Sequence, residues 1–144
     1  MPSRVWSHLC SYASIDSLAR VSIIEEIETF YATQLPVMLP TLYVISKWAG
    51  HAGESYTLQV RMLLPEESRQ AGRSEYFWVG ARQDFTIGKN YAYIAKVPHV
   101  EEINLALASV FTLTFTTFGD YPVEFLIDGV PVHILPFRVV QWNG

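Results

Sequence analysis

The sequence predicts an all-β fold: a single-domain antiparallel β-sandwich over residues 1–144, ending in an Asp-Gly β-hairpin. Three observations carry this. "GDYPVEFLIDGVPVHILPFRVV", residues 119–140, holds two runs of alternating apolar residues around Asp128-Gly129. That dipeptide tolerates the positive φ values of a two-residue type I′ turn. "YTLQVRML" alternates Tyr56, Leu58, Val60 and Met62 with Thr57, Gln59 and Arg61, as a strand buried on one face does. Turn-forming stretches (PVMLP, GHAGE, PEESRQAGRSE, GKN, FGD) cut the chain into short segments, not domains.

Taken in chain order, the first segment is ambiguous. "SLARVSIIEEIETFYA" spaces Leu18, Val21, Ile24, Ile27 and Tyr31 as an amphipathic helix would, yet it is dense in β-branched and aromatic residues. Pattern alone leaves helix and strand open at 18–31. "TLYVISKW" reads as a strand with Leu42, Val44 and Trp48 on one face, and "YTLQVRML" as the next. "EYFWVGAR", "NYAYIAKV" and "FTLTFT" are further strand candidates, with Trp48 and Trp78 assigned to the core. In Gly119-Asp120-Tyr121, the tyrosine opens a late strand after a turn, where its hydroxyl can return to the crossover backbone or its ring can face the core. The closing hairpin pairs Ile127 with Val130, Phe125 with Val132 and Val123 with Ile134, all facing the core. Glu124 opposite His133 and Leu126 opposite Pro131 then form an outer, replaceable face. Phe137 and Val139 fall out of step with Val132 and Ile134, which calls for a bulge near Leu135-Pro136.

"SLARVSIIEEIETFYATQLPVMLPTLYVISKWAG", "YTLQVRMLLPEE" and "GDYPVEFLIDGVPVHILPFRV" together resemble an uncharacterised family of small bacterial proteins. Its members open with a strand pair, pass a proline-punctuated link into two strands, and close with a G-x-Y strand and a D-G hairpin. The resemblance implies an immunoglobulin-like sandwich and makes 21–32 strand. It brings no catalytic residues. The chain departs from the family at "SIDSLARV", where members tend to carry a glycine-containing turn.

Composition narrows the function classes. With 50% hydrophobic and 17% charged residues the chain can bury a core, and 144 residues bury about two-thirds of their extended-chain surface. The longest weakly polar run, INLALASVFTLTF, is too short and too rich in Thr and Ser to span a bilayer. The start, MPSRVWSHLCSYASI, lacks the basic and apolar regions of a secretory signal, so the cytoplasm is the expected location. A formal charge of −4 without a basic run argues against nucleic acid and anionic membranes as partners. The lone Cys10 excludes an internal disulfide framework and reads as a buried small hydrophobe.

No motif carries catalysis. His8, His51, His99 and His133 show no close ligand spacing, and G-x-S-x-G, G-x-G-x-x-G and phosphate-loop patterns are absent. His51 with Glu54, and His99 with Glu101 and Glu102, read as exposed loops, so neither metal nor cofactor is expected. The expected function is a non-catalytic interaction or structural module that binds a protein partner or self-associates into a homo-oligomer, through Glu124, Leu126, Pro131 and His133. The alternative is a carbohydrate or small-ligand domain using Tyr91, Tyr93 and Trp142. An enzyme assembled from scattered His and Glu comes third.

Overall fold

Tyr56, Leu58, Val60 and Met62 are all buried along their strand, so the alternation in the sequence places one face of it in the core. The computed structural model describes residues 2–65, 75–87, 94–96 and 101–143. Its strands are β1 (Ser3–Ile15), β2 (Val21–Glu26), β3 (Thr29–Ala32), β4 (Val37–His51), β5 (Ser55–Leu63), β6 (Tyr76–Trp78) and β7 (Gln83–Thr86). They continue with β8 (Ile94–Lys96), β9 (Glu101–Phe115), β10 (Gly119–Asp120), β11 (Val123–Ile127), β12 (Val130–Leu135) and β13 (Arg138–Gln141). No helix occurs among the described residues.

The first sheet runs β2-β1-β4-β9-β8 and the second β12-β11-β5-β6, with β7 also on β5. A small third sheet, β10-β13-β3, includes a parallel β13–β3 pairing. The first two sheets face each other, as an all-β sandwich requires. Leu9, Leu42, Val44, Trp48, Ala106 and Ala108 meet Leu58, Val60, Met62, Val123, Phe125 and Ile127 in one cluster. Trp48 and Phe125 touch across the gap with ring centroids 6.1 Å apart. Trp48 also donates its indole N–H to Ser46 Oγ at 2.8 Å, which satisfies the polar atom it buries.

Residues 21–32, which the family resemblance made strand, form β2 and β3 with a break at 27–28, and residues 18–20 lie in the turn before them. The helical spacing over 18–31 never marked a buried face, because Leu18, Ile24 and Tyr31 are all exposed. β1 and β2 meet at a turn over residues 16–20. Here Asp16 Oδ1 accepts the Leu18 and Arg20 amides at 2.8 and 2.9 Å, and Ala19 takes φ 60°. An L-residue in that conformation costs about 1–2 kcal/mol. Ala19→Gly is therefore expected to raise stability by up to about 1 kcal/mol, less than the strain relieved because glycine loosens the unfolded chain. Thermal unfolding of the variant checks it.

A positive φ also acts inside the first sheet. In β9, Phe111, Leu113 and Phe115 share a parity, yet Leu113 and Phe115 are core while Phe111 is exposed. Thr112 lies between them at φ 58°, opposite the Pro40 position of β4, and the buried parity inverts there in both strands. Leu39 on one side and Leu42 on the other consequently reach the same core.

The closing hairpin forms around Asp128 and Gly129, with φ 50° and 80°. Its tip is tied to β5, because the Asp128 amide donates to Thr57 O and the Thr57 amide to Asp128 Oδ1, both at 2.9 Å. The register corrects the expectation from alternation. Ile127 pairs with Val130 and Leu126 with Pro131, but a bulge then leaves Val132 unpaired, so that Phe125 faces His133, Glu124 faces Ile134 and Val123 faces Leu135. The bulge lies inside the hairpin and not near Leu135-Pro136. Phe125, Ile127 and Val123 are core as expected, whereas Val130, Val132 and Ile134 are exposed. Trp78, expected in the core, is exposed too, on the short strand β6.

Tyr121 satisfies both of its readings. Its ring is buried edge-on to Phe115, and its hydroxyl donates to Thr117 O at 2.7 Å, with Thr117 Oγ1 at 2.8 Å. Tyr121→Phe is expected to cost about 1 kcal/mol, the usual net value of one hydrogen bond. A loss below about 0.3 kcal/mol in urea unfolding would show that water replaces the hydroxyl's partner equally well.

Candidate functional site

Glu124 and Leu126 were expected on an outer partner surface, but both are buried, at 7% and 4% exposure. β11 lies between β12 and β5 in the second sheet. Glu124 sits opposite Arg61 of β5 and accepts its Nε–H at 2.6 Å. The Arg61 guanidinium in turn lies over the Tyr76 ring, 4.7 Å from its centroid.

Pro131 is exposed on β12, the edge strand of the second sheet. A proline and a bulge on an edge strand remove donors and distort the ladder, so this edge is protected against strand addition. His133 shares the core side with Phe125, at a ring separation of 5.9 Å, and its Nε2 is buried without a hydrogen-bond partner. Burial pushes its proton affinity below the ordinary value of 6.5, and the charge of Arg4 adds to that. The folded protein resists protonation where the unfolded chain accepts it. Stability is thus expected to hold above pH 6.5 and to fall as the pH drops through that value toward the lower folded-state value. His133→Leu should flatten that part of a pH series of urea midpoints.

Of the aromatic candidates, Tyr91 and Tyr93 lie outside the described residues. Trp142 is exposed and meets Tyr31 edge-on at 5.7 Å. With Ala32 and Thr33 they line an apolar notch of about 380 Å³ at the end of the third sheet.

The residues missed by sequence reasoning lie on the first sheet's outer face. Cys10 and Ile45 alternate with Leu9 and Val44 of the main core, and so turn away from it. With Ala13 they form a second, smaller cluster against which Trp6, Tyr43 and Leu107 pack. Burial pushes the Cys10 thiol up to about 11, with Glu26 adding to the rise, which keeps its thiolate out of reach at neutral pH. Over this cluster a row of rings crosses three neighbouring strands. Tyr12 of β1 meets Tyr43 of β4 at 5.3 Å and 63°, and Tyr43 meets Phe111 of β9 at 5.9 Å and 87°. Tyr12 is 45% and Phe111 59% exposed. Trp6 lies farther along the same face, with Lys47 Nζ 6.0 Å from its ring centroid. His8 beside it is within 2.6 Å of Glu26 through Nδ1.

Tyr43 was legible in principle, since it lies between Leu42 and Val44 and must face outward if they face in. Phe111 was not, because the inversion at Thr112 hides its direction. β1 carries no clean alternation and was not recognised as a strand.

Stacking on a sugar needs ring faces presented in one plane, but these rings and the Tyr31–Trp142 pair all meet edge to face. The stacked pair Tyr56–Phe85, at 22°, has Tyr56 in the core. The polar groove around Ser55, Thr57, Arg82, Asp84 and Asp128 is internally paired. Thr57 Oγ1 donates to Asp84 at 2.8 Å and Ser55 Oγ meets Thr86 Oγ1 at 2.9 Å. The Thr57 hydroxyl, with Arg82, holds the Asp84 carboxyl below its ordinary range, which suits a solvated ion and not a general acid. Among the described residues, no three His, Cys, Asp or Glu side chains gather as metal ligands would. His51 donates its backbone N–H to Glu54 Oε2 at 3.3 Å, and His99 lies outside the described residues. No described helix is long and apolar enough to cross a membrane.

A sequence profile described as a family of unknown function (DUF6941) matches residues 5–140. No curated protein matches the chain.

Proposed function

The chain belongs to this family of unknown function, DUF6941, and from that premise we propose that it is a non-catalytic contact module that acts by protein association. The observation that carries this reading is the Tyr12–Tyr43–Phe111 row on the first sheet's outer face. Strand-borne rings over a small buried cluster make a water-facing apolar band, and such bands mark association surfaces. The immunoglobulin-like class and bacterial source that the resemblance implies belong to the same proposal. So does a cytoplasmic setting, which a lone buried cysteine suits.

A photo-crosslinking residue at position 111, tested in cells of the source organism, decides the matter. The same residue at exposed Leu18 in the β1–β2 turn is the control. Covalent protein adducts specific to position 111 are expected. Adducts no more abundant than those from position 18 would sink the reading.

A second reading, small-ligand binding, is favoured by the Tyr31–Trp142 notch. Its test is titration with small aromatic probes while following the fluorescence that Trp142→Phe removes. No change at millimolar probe would retire it.

A further inference from the structure

Resting on the association reading, we infer that the outer face of the first sheet binds a second copy of this chain, sheet against sheet, around a twofold axis. Its extent fits such a use. β1, β4 and β9 carry 13, 15 and 15 residues, with the shorter β2 beside them. At about 3.3 Å per residue and about 4.8 Å between strands, the face covers roughly 800 Å². A standard interface takes about 800 Å² from each partner.

The chemistry of the face is self-complementary. A twofold interface sets each residue type against another that the same surface already carries. Tyr43 meets its two neighbours at 63° and 87°, so the row presents ring edges and ring faces together, and one copy's edges can meet the other's faces. The face also holds both charge signs. Lys47 of β4 lies on one side of β1 and Glu26 of β2 on the other, and a twofold can place each beside the other's counterpart. The chain's formal charge of −4 therefore need not oppose closure at this seam.

The competing surface fits a second copy less well. β12 exposes Val130, Val132 and Ile134, but its proline and bulge block continuation of the second sheet.

Sedimentation of the purified full chain across micromolar concentrations tests the inference. A dimer is expected, and Phe111→Glu should weaken it about 30-fold or more, as loss of a central aromatic anchor does. Tyr12→Glu should weaken it as well, while Val132→Glu, on the hairpin edge, should leave it intact. Phe111 and Tyr12 are exposed, so the far-ultraviolet circular dichroism of these variants should match the parent, while their melting should lose only the concentration-dependent part that the dimer supplies. A monomer throughout the range, or a dimer indifferent to both ring variants, overturns the inference. The mass of the adduct at position 111 separates this failure from that of the contact reading. Twice the chain mass supports the dimer, another mass overturns the dimer alone, and no specific adduct overturns both.

Discussion

Phe125→Ala is expected to lose about 3–5 kcal/mol of stability in urea unfolding, a large share of the about 5–15 kcal/mol that holds a typical domain. The ring is fully buried at the middle of β11 and packs on Trp48 of the opposite sheet and His133 of the neighbouring strand. Truncation removes apolar surface and leaves a cavity that strands paired on both sides of β11 cannot close. Val132→Ala is the matched comparison. Simple alternation would pair Val132 with Phe125 in the core, but the bulge leaves it unpaired and 39% exposed. Its truncation should cost under about 1 kcal/mol. Equal losses for the two variants would place the bulge elsewhere.

Glu124→Ala is expected to cost about 2–4 kcal/mol, although the alternation of the hairpin would make this residue replaceable. The carboxylate and the Arg61 guanidinium are both largely covered, with side chains 10% and 21% exposed. Removing one partner leaves the other desolvated and unpaired, and that penalty, more than the attraction itself, sets the loss. The Tyr76 ring over Arg61 remains and offsets part of it. Replacing both partners, Arg61→Met with Glu124→Leu, should recover most of the stability, since a well-packed apolar pair of similar volume often matches a buried ion pair. The double-mutant cycle measures this directly. A single-variant loss below about 1 kcal/mol would show instead that the pair behaves as an exposed one.

What could be read from the sequence followed from one-sided burial. β5 buries one face and solvates the other, so Tyr56, Leu58, Val60 and Met62 declare themselves by period two. The Asp128-Gly129 turn declares itself because few dipeptides accept two positive φ values in succession. Tyr121 could be anticipated because it follows a turn at the start of a late strand. Where burial is two-sided or irregular, the pattern fails. All of β11 is buried, so its alternation of Val123, Phe125 and Ile127 with Glu124 and Leu126 gives no sign that Glu124 is covered as well. Leu18, Ile24 and Tyr31 fall at helical spacing only because edge strands and turns leave apolar side chains exposed in no fixed order.

The sequence by itself determined the fold class, the turns, the core-facing residues of β4 and β5, and the lack of catalytic and phosphate-binding motifs. These depend on local φ preferences and on the period of apolar residues, both of which are written along the chain. Only the tertiary structure decided the hairpin register, the burial of Glu124 against Arg61 and the direction of Phe111. A single unpaired residue at Val132, or a single positive φ at Thr112, reverses every side chain beyond it without altering the composition of the strand. The ring row of Tyr12, Tyr43 and Phe111 joins residues up to 99 positions apart, and it exists only because β1, β4 and β9 lie side by side.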